Sequence, residues 1–192
     1  MNLHYPTEYD PAVAAEILQT CKDVLTKVGV KFWLSDGGLL GLIRDGDVIA
    51  TDHDWDIGVM TDEKLPEIRA KMPYREYASE KLYDHFQGFA WIYNKWILDL
   101  RFWWKVDNWL INAQGFPEEN GIWQTGTFYE DACLFEKLGE INYKGVKFPI
   151  PEPVEKYLEV RYDNWKQATS ENRWWLYTAS FKPNKNEIWS RL

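Results

Sequence analysis

The sequence predicts an α+β domain, a mixed β-sheet with helices packed largely on one side, and three stretches carry that expectation. An Asp10-Pro11 pair followed by apolar residues at helical spacing announces a leading helix. Residues 33–60 join a strand, a two-glycine turn, a short helix and a second strand, and residues 89–104 alternate as a hairpin.

In chain order, Asp10 is a helix cap and Pro11 suits the first turn, where its missing N–H costs nothing. Val13, Ile17, Cys21, Val24, Leu25 and Val28 recur on one face, and Gly29 closes the helix. Residues 30–35 read as a first strand, Gly37-Gly38 as the turn, and residues 39–44 as a short helix. Residues 55–60 form a second strand and residues 62–72 a second long helix. Phe89 to Tyr93 and Trp96 to Trp104 pair across an Asn94-Lys95 turn. In the second arm Trp96, Leu98, Leu100, Phe102 and Trp104 share the core face, which leaves Asp99, Arg101 and Trp103 on the other. From Pro151 the chain is expected to be helical to about residue 180, with Val154, Tyr157, Leu158 and Arg161 on one stripe. The last dozen residues are polar and loosely constrained.

Composition narrows the class. The 192 residues are expected to form a single domain, 1–192, with no repeat or linker, long enough to bury a core unaided. Cys21 and Cys133 suit neither a disulfide framework nor a cysteine-rich zinc site, and Cys133 reads as a small buried residue. With no recognisable signal peptide, they point to a cytoplasmic protein. Apolar runs are broken by charges well short of the ~20 residues a membrane helix needs. A net charge of -8 argues against a nucleic-acid partner, which calls for a basic stripe. Twelve Trp, eleven Tyr and nine Phe make the chain rich in rings, whose default role is core filling.

The chemistry is concentrated in Asp52, Asp54 and Asp56. Two-residue spacing in an extended segment projects all three carboxylates to one side, where they repel one another unless water or a cation intervenes. Hard oxygen donors select Mg²⁺ or Mn²⁺. The alternative is an acidic surface loop. Gly37 and Gly38 let a backbone approach a phosphate, the next helix adds its positive N-terminal end, and Arg44 can neutralise a phosphate oxygen. His53, between the aspartates, points to the opposite side and reads as a core or supporting residue; His85 is a loop histidine near the hairpin.

These residues resemble the signature of the LicD family, which includes the fukutin-related proteins. Gly37-Gly38, Leu39-Leu40-Gly41, Arg44 and Asp52-x-Asp54-x-Asp56 occur in the family's order, and Pro151, Tyr157-Leu158 and Arg161-Tyr162 are similar to its C-terminal helix. The resemblance spans about residues 12 to 165. Three positions depart from it: Ala50-Thr51 replaces a common Pro-Trp, Asp45 a His, and Asp36 a Gly. The cysteine-rich zinc site of animal relatives cannot form from two distant cysteines.

The resemblance implies a nucleotidyltransferase-like fold and a metal-dependent phosphotransferase that moves a phosphocholine or alditol phosphate from a CDP-activated donor to a glycan hydroxyl, releasing CMP. It also implies that Asp99 supplies the carboxylate of a neighbouring strand. Metal ligation then falls to Asp52, Asp54, Asp56 and Asp99, catalysis to Asp54, Asp56 and Asp99, and substrate contacts to Gly37, Gly38, Arg44, Arg101 and Trp103. For Asp99 the competing expectation is a structural pair with Arg101. Two other functions stay open: a nucleotidyltransferase that moves NMP from an NTP, and a non-catalytic nucleotide- or glycan-binding module.

Overall fold

The structure, a computed structural model, describes residues 10–82, 85–117, 123–162, 164–167 and 181–183. Helix α1 (Pro11–Val28) begins where the Asp10 carboxylate accepts the Ala12 N–H at 2.9 Å and ends at Gly29, whose φ of 77° is the left-handed C-cap. Its buried stripe of Ala14, Ile17, Leu18, Cys21, Val24 and Leu25 faces the sheet, and the Trp55 indole N–H donates to the Ala14 carbonyl at 2.9 Å.

Strand β1 (Phe32–Leu34) runs antiparallel to β2 (Asp54–Met60), with Leu34 opposite Ile57. Between them lies α2 (Asp36–Arg44), so the expected Gly37-Gly38 turn is instead the first turn of this helix. Asp36, at φ 46°, bends the chain from strand to helix in one step, and no two-residue turn is needed. Helix α3 (Leu65–Lys71) is shorter than its expected 62–72 because Pro66 sets its first turn.

Five further strands complete most of the sheet: β3 (Arg75–Leu82), β4 (His85–Tyr93), β5 (Trp96–Val106), β6 (Trp109–Pro117) and β7 (Trp123–Asp131). The hairpin arms β4 and β5 are longer than expected; Asn94 and Lys95, at φ 47° and 70°, form the turn between them. The eight-stranded sheet follows the path β1-β2-β5-β6-β7-β10, with β4 also on β5 and β3 on β4; β10 is Phe181–Pro183. All its pairings are antiparallel except β2 with β5, so the mixed sheet expected from the sequence is present. A separate hairpin of β8 (Gly139–Tyr143) and β9 (Val146–Ile150) packs on β1 and α1, with Phe148 against Phe32, and reaches Trp55 of β2 through Tyr143.

Trp55, Ile57, Val59, Leu98, Leu100 and Phe102 are at most 1% exposed, and α1, α2 and α3 cover this face. The predicted core face of β5 is therefore the observed one. Helix α4 (Val154–Arg161) ends at Arg161, with a turn at 164–167; residues 168–180 of the expected helix lie outside the described residues, as do 184–192. Tyr157 of α4 packs its ring against Phe135, which in turn meets Trp33. Cys133 is exposed in a short 3₁₀ turn at residues 132–135, contrary to expectation, because Ala132, Leu134 and Phe135 take the inward positions; Cys21 is buried.

Candidate active site

The parallel pairing of β2 with β5 builds the site. Its register sets Asp56 beside Asp99, with Asp54 beside Ile97 and Gly58 beside Arg101. Side chains of strand neighbours point to the same face, so Asp54, Asp56, Asp99 and Arg101 converge opposite the core side. Each keeps partial exposure, as does Asp52, which puts the cluster in a solvent-reachable recess.

Asp52 precedes β2 in a turn, its N–H bonded to the Ile49 carbonyl at 2.8 Å, and its carboxylate rests against the first turn of α2. A Cβ on Gly37 would lie 2.2 Å from Asp52 Oδ2, so the bare backbone at this position is what admits the carboxylate. Gly38 does something else. A Cβ there would meet the Trp55 ring at 2.7 Å, which makes Gly38 a packing residue between helix and sheet.

The electrostatics are those of a crowded acidic site. Burial raises the Asp56 carboxyl well above its ordinary range, repulsion from Asp54, Asp36 and Asp99 adds to that, and Arg101 opposes it. Asp54 is raised in the same way by burial and then by its hydrogen bond and charge repulsion with Asp52. Asp52 is raised by burial, against the hydrogen bond from Asp54. Asp99 is raised by burial despite Arg101, whose guanidinium lies 2.7 Å from Asp99 Oδ2 and 3.1 Å from Glu80 Oε2. Gly88, across from Arg101 on β4, leaves the room: a Cβ there would stand 2.9 Å from Arg101 Nη1.

Four carboxylates therefore gather, and all their donors are hard oxygens of the kind that hold Mg²⁺ or Mn²⁺. Among the described residues no three His, Cys, Asp or Glu side chains already stand in a ligating group, so the carboxylates would have to draw closer to hold an ion. The donor chemistry fits a divalent ion.

The remaining sequence candidates fall around this cluster. Arg44, at the far end of α2, forks onto Asp45 at 2.8 and 2.7 Å, so the residue that replaces the family's His occupies the guanidinium expected for phosphate. Trp103 shares the Asp99 face but is 2% exposed, a wall and not an open platform for a substrate ring. His53 points to the core side and stacks on Trp96 with centroids 6.1 Å apart, as expected. His85 lies 3.5 Å from Asp62, at the other end of β2 from the carboxylates.

Sequence reasoning missed a second buried charge group beside the site. Asp36 is 7% exposed, its carboxylate paired with Arg161 and its N–H donated to the Tyr157 hydroxyl at 3.3 Å. Arg161, with no exposed surface, also faces Glu130 of β7 at 3.5 Å and lies 4.2 Å over the Phe128 ring. The signal was an arginine on the apolar stripe of α4; nothing in the local sequence marks Glu130 as buried.

With this geometry in place, the similarity to known proteins can be stated. Residues 29–153 match the family described as LicD/FKTN/FKRP, nucleotidyltransferase domain. The chain belongs to this family. Mouse ribitol-5-phosphate transferase FKTN is 28% identical over 183 residues, covering 89% of this chain and 37% of that protein. Human ribitol 5-phosphate transferase FKRP is 45% identical over 40 residues, 21% of this chain and 8% of that protein. The chain thus spans little more than a third of the FKTN length. Among solved structures, the antibiotic-resistance factor ANT(2'')-Ia aligns with a TM-score of 0.48 at 14% identity, over 82% of this chain and 80% of that one. The LicD-family assignment agrees with the α+β nucleotidyltransferase domain expected from the motif order. No helix among the described residues is long and apolar enough to cross a membrane.

Proposed function

We propose that this LicD-family domain is a metal-dependent phosphotransferase that moves a phosphorylated alcohol, of the phosphocholine or alditol phosphate type, from a CDP-activated donor to a glycan hydroxyl and releases CMP. The observation that carries the reading is the register of β2 on β5, which puts Asp99 beside Asp56 on the face that also holds Asp54. The ribitol-phosphate transferases among its relatives support the phosphorylated alcohol.

Asp54, Asp56 and Asp99, with Asp52 behind them, are the residues that would hold Mg²⁺ or Mn²⁺. Bound there, the ion would neutralise charge on the donor diphosphate, which is most of what phosphoryl transfer requires. The first turn of α2 presents backbone N–H groups and a positive helix end beside Asp52, through Gly37. Arg101 sits two residue pairs along the strands from Asp56 and Asp99, on the same face, and balances part of their charge. Asp99 accepts the proton of the attacking hydroxyl; its raised pKa brings it nearer the range in which a carboxylate works as a base.

Product analysis tests the reading. Incubation with CDP-ribitol, CDP-glycerol or CDP-choline, Mn²⁺ and a glycan acceptor should release CMP and lengthen the acceptor by the alcohol phosphate. Pyrophosphate release from a nucleoside triphosphate would favour the nucleotidyltransferase alternative. Ligand-induced thermal stabilisation with neither product would leave a binding module.

A further inference from the structure

Asp36 is held from α4 at two points, carboxylate to Arg161 and backbone N–H to the Tyr157 hydroxyl. It occupies the one left-handed position through which β1 turns into α2, and the next residue is Gly37, against which the Asp52 carboxylate rests. Arg161 is fixed in turn by Glu130 and the Phe128 ring, both on β7. Helix α4, more than a hundred residues away in sequence, thus reaches the start of α2 at a single residue, Asp36. A fold staple would not need to meet the chain at the residue next to the carboxylate cluster, nor to grip that residue's backbone as well.

We propose that Arg161 is a positioning residue of the active site: by fixing Asp36 it sets the first turn of α2 and, through Gly37, the place of the Asp52 carboxylate. This rests on the phosphotransferase reading only for the meaning of turnover. Its structural content, that Arg161 orders the first turn of α2 through Asp36, stands separately. Arginine suits the task because its planar fork meets one carboxylate at two nitrogens while its face lies on a ring, which lysine cannot do.

The experiment compares wild type with Arg161→Met, Arg161→Lys, Asp36→Gly and the double variant Asp36→Gly/Arg161→Met. Each is followed by amide hydrogen exchange and by the affinity for Mn²⁺ alone. Arg161→Met should speed exchange of the amides of residues 37–40 beyond the change elsewhere, and should weaken Mn²⁺ binding. The double variant should recover part of the loss at 37–40 and of the Mn²⁺ affinity, since glycine accepts the left-handed backbone and the buried Asp36 carboxylate is gone, while Glu130 still lacks its arginine. Arg161→Lys should lie between. Where transfer is measurable, Arg161→Met should lower kcat by roughly ten- to a hundredfold with KM little changed, the scale of a small misplacement of reacting groups. If Arg161→Met does not fold, the lysine and double variants carry the same comparison. Wild-type exchange at 37–40 in folded Arg161 variants would overturn the proposal, as would loosening spread evenly with no rescue by Asp36→Gly. A wild type that exchanges as described but transfers nothing would refute the phosphotransferase reading and leave this one standing.

Discussion

Two buried charge groups lie a few residues apart in this fold, and they are built on opposite plans. Around Arg161 one guanidinium serves two carboxylates, Asp36 and Glu130, with a ring beneath it and almost no water. Around Arg101 one guanidinium, already shared between Asp99 and Glu80, also acts on Asp54 and Asp56, in partly solvated space. The first group is closed off from solvent. The second carries an excess of negative charge that folding alone does not reward, and which a bound cation would relieve.

The sharpest way to break this contrast is to remove one charge from each group. Asp54→Asn and Asp56→Asn should abolish transfer, read as CMP release, yet leave the metal-free melting temperature equal or higher because repulsion is relieved. Arg161→Met should instead cost about 3–5 kcal/mol of stability, the usual penalty for breaking a buried pair. Melting curves that rank the variants in the reverse order would erase the distinction.

Asp99 tests whether the acidic face is catalytic or merely crowded. Asp99→Asn should slow transfer by about 10²–10⁴-fold, the usual contribution of a positioned acid or base. Donor affinity should change far less, because the loss falls on the transition state. If Asp99 served only Arg101, stability would drop slightly and the rate would stay.

The two adjacent glycines separate the groups on a finer scale. Gly38→Ala should destabilise by about 1–3 kcal/mol, since its Cβ would press on the buried Trp55 ring. Gly37→Ala meets only the end of the Asp52 side chain, which can swing away; stability should hold while transfer falls. Denaturant melts and initial rates on the same pair of proteins decide it.

How much of this was legible beforehand varied with the range of the interaction. Asp54 and Asp56 followed from alternation and motif order, both local signals, while Asp99 came from alternation on β5 together with the family resemblance; the β2–β5 register sets Asp99 beside Asp56. Gly37 and Gly38 look alike in sequence, yet one faces Asp52 and the other Trp55, because helix α2 begins at Asp36 and rotates them to different sides. Arg44 was assigned by order alone, which says nothing of the neighbouring Asp45 that holds it. The Asp36–Arg161–Glu130 group joins three elements far apart in the chain, and no spacing rule reaches that far.

The smallest expected effect is in pH dependence. The folded pKa values of Asp54 and Asp56 lie above the unfolded value of about 3.9. Their contribution to stability is full below that value and is lost as pH rises through the folded ones. Exposed pairs such as Arg69–Glu76, which lower the glutamate's pKa, push the other way but are screened by solvent. The metal-free protein should therefore lose stability from pH 4 toward neutrality more steeply than Asp54→Asn does, in parallel thermal melts.

The central claim, that the unbalanced carboxylates of β2 and β5 form a seat for a divalent cation, is tested most directly by calorimetric titration of the wild type with Mn²⁺ in two buffers of different ionisation enthalpy. The account predicts saturable binding accompanied by proton release, because an ion favours the ionised form of carboxyls whose pKa burial has raised, and loss of that binding in Asp54→Asn and Asp56→Asn. Absence of saturable heat at neutral pH, or binding that survives both substitutions, would contradict it.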